Sequence, residues 1–376
     1  MEKRIFFDHA AGAFGNPSSQ HNEGRIAKIA LEDARKRCAN ALDVAPETLY
    51  FTSGGTESNS IALFSTLTRP GKGRVISSLA EHASVREGMQ TLERLGKTTG
   101  VITVDSAGRV TPDTLTKALN QYGDVRFISA MHVNNETGAV TDIMSLRDVI
   151  KKYTDAGKPH IHFHCDLVQA AGKIPVDIKS FDIDSASISA HKLGGPRGIG
   201  LLYFKKPVEV FFSGGGQESG IRGGTENVQG AVGLADCLEE GLGKKLGFDK
   251  KAGLDKKADA KARWQKLIGA LADVKRCTLI PYERNLDFDN FSPYILQAAF
   301  KDIPGEVMAR ALDDLGFAVS TGSACSSSSP ERPVLVAMGV SENLRIEGIR
   351  ISQGYSTTNE DIDALLCGIK EVLKFL

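Results

Sequence analysis

The strongest constraint on the fold is an alternation of short β-branched runs with longer helical patterns through the first two-thirds of the chain. Leu49–Thr52, Arg74–Ser77, Val101–Val104, Val125–Met131, Ile161–Asp166, Ser185–Ser189 and Gly200–Phe204 read as strands. Between them Ile26–Leu42, Ser58–Leu67, Ser84–Leu95, Thr111–Asn120 and Met144–Ala156 read as helices, and in the first of these Ile26, Ala30, Ala34 and Cys38 recur at helical spacing. Strands that take turns with helices pair mainly in parallel, with helices covering both sheet faces. The expected class is therefore α/β, with a mainly parallel seven-stranded sheet, and ligands of such sheets sit at the carboxyl ends of the strands.

At 376 residues the chain is long enough for two domains. Composition shifts at Leu242–Lys266, where Lys244, Lys245, Lys250, Lys251, Lys256, Lys257 and Lys261 crowd among glycines. This reads as a solvated connecting helix with its charges outward rather than a basic binding patch. The boundary placed there gives a large domain, 13–244, and a smaller α+β domain made of 1–12 and 245–376. The last helix has a capping-box pattern at Thr357 and Glu360 and an apolar stripe of Ile362, Leu365, Leu366, Ile369, Val372 and Leu373.

Charge excludes several classes. Lys+Arg and Asp+Glu both number 46, so the chain lacks the basic footprint of a nucleic-acid binder. No apolar run approaches the roughly 18 residues of a membrane helix, and the apolar stretch near Met1 is too short for a signal peptide. Six scattered cysteines with no CxxC pair argue against a disulfide framework and a zinc ribbon. A cytoplasmic enzyme is the expectation. Neither GxxxxGK[ST] nor HExxH occurs.

Polar residues placed just after strands carry the chemistry. Ser53-Gly54-Gly55-Thr56 lies between a strand and a helix, where free N–H groups and the Thr56 hydroxyl suit an anion, although an ordinary capped turn looks the same. Asp166 and Gln169 end a strand and suit a protonated ring nitrogen and a phenolate. His160, His162 and His164 share one face of that strand; lacking acids or cysteines at ligand spacing, they read as buried, hydrogen-bonded histidines, and no metal is expected. Lys192, before Gly194-Gly195-Pro196, is a candidate Schiff-base amine, or a solvated turn lysine. Cys325 stands among small polar residues, the setting of an accessible thiol, whereas Cys38 and Cys367 fall on apolar helix faces. Arg350 is a possible carboxylate fork or a strand arginine in an ion pair.

Taken in order, these motifs resemble a known family. Phe7-Asp8-His9-Ala10-Ala11, Gly15-Asn16-Pro17-Ser18-Ser19-x-His21, Gly55-Thr56, Glu81-His82, Asn134-Asn135-Glu136, Asp166-x-x-Gln169, Ser187-x-Ser189-x-His191-Lys192, the run from Gly215 to Asn227, and Gly322-Ser323-Ala324-Cys325 resemble the cysteine desulfurases. This is the NifS/IscS-like, class-V aminotransferase branch of fold-type I enzymes, which use pyridoxal 5′-phosphate. The likeness covers nearly the whole chain.

The resemblance implies that Lys192 carries the cofactor and moves a proton, that Asp166 holds the ring nitrogen protonated, and that Gln169 contacts the ring phenolate. It implies that His82 stacks on the ring as an acid/base, that Asn135 orients ring and substrate, and that Gly55, Thr56, Ser189 and His191 bind the phosphate. Thr225 would reach the phosphate of the other subunit of a homodimer, and Arg350 would clamp the carboxylate of L-cysteine. Cys325 would take the sulfur as a persulfide and deliver it to a sulfur-acceptor or scaffold protein for iron–sulfur clusters or thiolation. A selenocysteine lyase of the same fold, or a silent paralogue serving as a binding subunit, are the alternative readings. The chain departs from the family in having only Gly12, Ala13 and Phe14 where a helix usually lies, so its N-terminal packing is expected to differ.

Overall fold

A computed structural model describes residues 6–11, 15–69, 73–243, 250–285, 287–322 and 332–376, with side chains from Ala258 onward in the helix that begins at Lys250. Strands β1 (Leu49–Thr52), β2 (Arg74–Ser78), β3 (Thr99–Ile102), β4 (Val125–Ser129), β5 (His162–Asp166), β6 (Ser185–Ser189) and β7 (Gly200–Phe204) form one seven-stranded sheet in the order β1-β7-β6-β5-β4-β2-β3. The pairs from β3 across to β6 are parallel, as expected. Strand β7 alone runs against both of its neighbours. Its reversal follows from the short link of residues 190–199, which holds only the 3-10 turn Ala190–Leu193 and is too short for a parallel crossover.

The helices of this part are α1 (Asn22–Leu42), α2 (Gly55–Thr68), α3 (Ala83–Arg94), α4 (Pro112–Tyr122), α5 (Ile143–Asp155), α6 (Ile178–Phe181) and α7 (Val228–Gly241). Helix α1 starts earlier than its apolar spacing suggests, because His21 caps it by accepting from the Gly24 N–H. Its buried face is Ala27, Leu31, Ala34 and Cys38, while Ile26 points outward at 57% exposure. The two N-terminal motifs meet at Asp8, whose Oδ2 accepts from Ser19 Oγ at 2.8 Å and lies 3.1 Å from His21 Nε2. Residues 12–14 lie outside the described residues.

Strand β3 sits two residues before the span expected from its β-branched run. It is one of the two edge strands, Val101 is exposed, and pairing with Val75–Ser78 decides the register. The Gly215–Asn227 run is anchored by Glu218, which accepts from both Arg35 Nη atoms at 2.7 and 2.8 Å and from the Phe51 N–H at 2.7 Å.

A second core lies on a three-stranded antiparallel sheet, β8 (Cys277–Ile280), β9 (Ile295–Phe300) and β10 (Gly348–Ser352), ordered β10-β9-β8. Around it run α8 (Lys250–Ala272), α9 (Gly305–Asp314), α10 (Pro333–Ala337), α11 (Glu342–Glu347) and α12 (Asn359–Phe375). Trp264, Leu267, Leu271, Phe300, Met308, Ile349 and Ile369 fill this core. In α8, Lys261 and Lys266 are exposed and pair with Asp289 and Asp363, whereas the side chains of Lys244, Lys245, Lys250, Lys251, Lys256 and Lys257 lie outside the described residues. The capping box of α12 is Thr358 with Asp361, one residue beyond the pair read from the sequence, because Thr357 Oγ1 instead accepts from the Gly354 N–H. No described helix is long and apolar enough to cross a membrane.

Candidate active site

The carboxyl ends of β1, β2, β4, β5 and β6 converge on a cavity of about 210 Å³. Gly55, Thr56, His82, Asn135, Asp166, Gln169, Ser189, His191, Lys192 and Arg350 all line it, so nearly every residue singled out by sequence meets at one place. Asn59, Met131 and Val168 complete the wall and were not singled out. Asn59 lies one turn beyond Thr56 on α2, among polar residues whose burial the sequence does not show.

One corner is an anion cradle. Gly54, at φ 155°, turns β1 into α2 in a backbone conformation that side chains disfavour, and it provides no side-chain cap to the first N–H groups of α2. A Cβ on Gly55 would approach Val168 Cγ2 to 2.6 Å, so only glycine lets this turn close against β5. Across the cradle Ser189 Oγ and His191 Nδ1 lie 2.9 Å apart, and burial lowers the pKa of His191. Lys192 stands in the short turn Ala190–Leu193 directly after β6.

The opposite wall carries a carboxylate, an amide and an imidazole. Asp166 is 3% exposed; its Oδ1 accepts from the Val168 N–H at 2.9 Å and its Oδ2 from Asn59 Nδ2 at 2.8 Å. Gln169 Oε1 accepts from Lys173 Nζ at 2.6 Å. Burial, followed by the charges of Lys192 and Arg350, pushes the Lys173 amine down to about 8. His82 caps α3, with Nδ1 accepting from the Ser84 N–H at 3.1 Å. A backbone N–H can only donate, so Nδ1 is an acceptor and Nε2 is the nitrogen left for the cavity. Burial lowers the pKa of His82, Asp166 opposes this, and Lys192 reinforces it.

Arg350 reaches the cavity from the second core, on β10 opposite Gln297, and its Nη1 donates to the Asn135 carbonyl at 3.0 Å. The Asn135 Oδ1 is buried without a partner, a lining acceptor with a hydrogen bond still to make. Asn134 shapes that turn by accepting from the N–H groups of Glu136 and Thr137. Ser320 pairs with the Arg350 backbone, and Gly322 stands beside Glu136.

Thr225 of the sequence reading is not among the lining residues. It is exposed, and Cys325 lies outside the described residues. Among the described cysteines, burial pushes Cys38 and Cys277 up to about 12 and Cys237 up to about 11, and raises Cys165 well above the ordinary thiol range. His162 Nε2 and His164 Nδ1 approach Ser185 Oγ at 2.7 and 2.8 Å, the hydrogen-bonded arrangement read from the sequence, whereas His160 lies outside β5 with its side chain 69% exposed.

Residues 5–365 match the class-V aminotransferase family. The chain is 37% identical to a cysteine desulfurase IscS of Dictyoglomus turgidum, over 100% of this chain and 96% of that protein. It is similar to the solved structure of a NifS-like protein, with TM-score 0.85 and 32% identity over 98% of this chain and 94% of the other. The structure of SspA in complex with cysteine is also similar, with TM-score 0.73 and 28% identity over 93% of this chain and 94% of the other.

Proposed function

Because the chain belongs to the class-V aminotransferases, in their NifS/IscS-like cysteine desulfurase branch, we propose that it uses pyridoxal 5′-phosphate to move sulfur from L-cysteine onto Cys325. The observation that carries this reading is the convergence of Lys192, Asp166 and Arg350 on one cavity from β6, β5 and β10. Amine, carboxylate and guanidinium are the three groups needed for an aldehyde cofactor, its ring nitrogen and an amino-acid carboxylate.

The lining fits the cofactor. The unpartnered Asn135 Oδ1, the uncapped start of α2 and the facing Ser189–His191 pair leave polar capacity for a phosphorylated ring. When bound, pyridoxal 5′-phosphate supplies an aldehyde that captures amines and a ring that withdraws electrons from the carbon it holds. Gly55, Thr56, Ser189 and His191 bind its phosphate, and Asp166 keeps the ring nitrogen protonated. Gln169, its oxygen held by Lys173, turns its NH₂ toward the ring oxygen.

Lys192 holds the cofactor until substrate arrives and then moves the substrate Cα proton. Arg350 clamps the substrate carboxylate in a fork that fixes Cα and thiol together. Cys325 thiolate takes the substrate sulfur, so that L-cysteine and the Cys325 thiol become L-alanine and a Cys325 persulfide. A free thiol with a pKa of about 8.5 is only a few per cent thiolate near neutrality, so a neighbouring base or cation must help. His82, with Nε2 toward the cavity, would serve as that base.

The exposed Thr225 suits contact with the phosphate in a second subunit, and the enzyme is a homodimer. The groove of Phe211, Phe212, Ile221 and Gly224 nearby, with Phe212 72% exposed, supports that reading. The large domain is 13–244, with 1–12 and 245–376 forming the small one. The persulfide passes to an acceptor or scaffold protein in the cytoplasm. Mass spectrometry of the protein after incubation with cysteine tests the proposal, with one added sulfur atom expected on the peptide carrying Cys325. An added sulfur on another cysteine, or alanine release without any, refutes it.

A further inference from the structure

A buried file of polar side chains runs from Asp166 back through α2, β5 and β6, and the reaction described above leaves it unused. Asn59 and His164 are each 1% exposed, Ser185 is 0% and His162 7%. Asn59 Nδ2 donates to Asp166 Oδ2 at 2.8 Å and to Ser84 Oγ at 2.9 Å, and Asn59 Oδ1 lies 3.0 Å from His164 Nε2. His164 Nδ1 lies 2.8 Å from Ser185 Oγ, which lies 2.7 Å from His162 Nε2.

Elementary donor and acceptor rules give this file one direction. A carboxylate accepts, so the Asn59 NH₂ faces Asp166 and its oxygen faces His164. That oxygen can only accept, so His164 carries its proton on Nε2. His164 Nδ1 then accepts from the Ser185 hydroxyl, whose oxygen accepts from His162 Nε2–H. Ser187 Oγ, 3.5 Å from His164 Nε2, is too distant to compete with Asn59. Burial pushes His164 down to about 3, so it stays neutral and the direction does not reverse near neutral pH.

We propose that Asn59, braced by His164 and Ser185, is a positioning residue that fixes the Asp166 carboxylate for the ring nitrogen of the cofactor. The inference rests on the cofactor reading above. A carboxylate held only by the Val168 N–H can pivot about that bond. The second donor, from an amide that is itself locked, stops the pivot.

The test compares pyridoxal 5′-phosphate with its 1-deaza analogue, whose ring has carbon in place of nitrogen, in the full-length protein. Dissociation constants are measured by equilibrium dialysis for the wild type, for Asn59→Leu and for His164→Phe. In Asn59→Leu the preference for the natural ring over the analogue should fall roughly tenfold, while binding of the analogue, which also reports an intact pocket, stays unchanged. His164→Phe should move the preference in the same direction by less. An unchanged preference, equal weakening of both compounds, or an Asn59→Leu protein that binds neither would overturn the positioning role. Wild-type protein that binds neither compound would instead overturn the cofactor reading, and this inference with it.

Discussion

Lys173 Nζ donates to Gln169 Oε1 at 2.6 Å, which ties two residues four positions apart in the turn after β5 at the edge of the cavity. An amide is nearly symmetric in shape, so only a hydrogen-bond partner decides which end faces a ligand. An amine cannot accept from the amide NH₂ while it is an ammonium, and the Gln169 NH₂ is therefore turned toward the cavity. Lys173→Met should lower kcat/KM for cysteine roughly tenfold, and Lys173→Arg should restore most of it. Alanine release measures both. Equal loss in the two variants would mean that neither the charge nor the bond donated to the amide explains the role of Lys173.

The same lysine gives a pH dependence of stability. Burial, then the charges of Lys192 and Arg350, hold it at about 8 in the folded protein, against 10.5 when exposed. Between these values the unfolded chain binds more protons, so stability rises with pH through that window. The cost of the buried charge below pH 8 is on the order of 3 kcal/mol. Urea denaturation at pH 7.5 and pH 10 should show this rise in the wild type and lose most of it in Lys173→Met.

Glu81 gives a slope of the opposite sign. Its carboxyl is 1% exposed, Oε1 accepts from Ser129 Oγ at 3.2 Å, and Oε2 has no partner. Burial first, then the negative charge of Asp166, push it up to about 8 from 4.5. The folded state binds the extra proton between those values, so stability falls as pH rises from 4.5 to 8. The fall is on the order of 5 kcal/mol at most. Glu81→Gln should be flatter than wild type across the same range, and a parallel pair of curves would show that Glu81 is ionised in the fold.

Glu218 tests the brace under the Gly215–Asn227 run. It meets Arg35 with two oxygens, and the Arg35 side chain stacks 4.9 Å from the Phe51 ring centre. Removing one partner of a buried pair leaves a charge without compensation, which costs about 3–5 kcal/mol. Glu218→Ala should destabilise by that much in urea. Asp236→Ala, which breaks a more exposed pair with Arg37, should cost under about 1 kcal/mol.

Strands β1, β6 and β7 were legible to the residue, because turn residues bound each of them, and β6 and β7 are also paired on both sides. Strand β3, at the opposite edge, was not, because its β-branched run extends past the residues that pair, and sequence does not show which of them β2 meets. Of the cavity wall, the residues just after strand ends were legible from polarity in an unusual place. Asn59 was not, because a polar residue on a helix looks solvated until the sheet beneath it is known, and neither was Lys173, behind Gln169 in the turn after β5. The cap of α12 shows the same limit on a smaller scale. Thr357–Glu360 and Thr358–Asp361 fit one pattern, and the Gly354 N–H, from outside the helix, decides between them.

Arg350 is the lining residue that the second core contributes, and it has two duties. Its guanidinium donates to the Asn135 carbonyl, and its backbone pairs with Ser320, from which the chain runs on to Gly322 beside Glu136. The backbone pairing survives any side-chain change, so Arg350→Ala should leave the fold of β10 intact. What it removes is the planar fork proposed above for the substrate carboxylate. Loss of such a charge-assisted contact should lower kcat/KM for cysteine roughly a hundredfold. Affinity for pyridoxal 5′-phosphate should change less than threefold, because the phosphate and ring contacts come from β1, β5 and β6. Arg350→Lys, a point charge without the fork, should recover only part of the activity. Steady-state alanine release alongside cofactor dissociation constants separates the outcomes. A parallel fall in both would assign Arg350 to holding the Asn135 turn, and the carboxylate clamp would have to be sought elsewhere on the cavity rim.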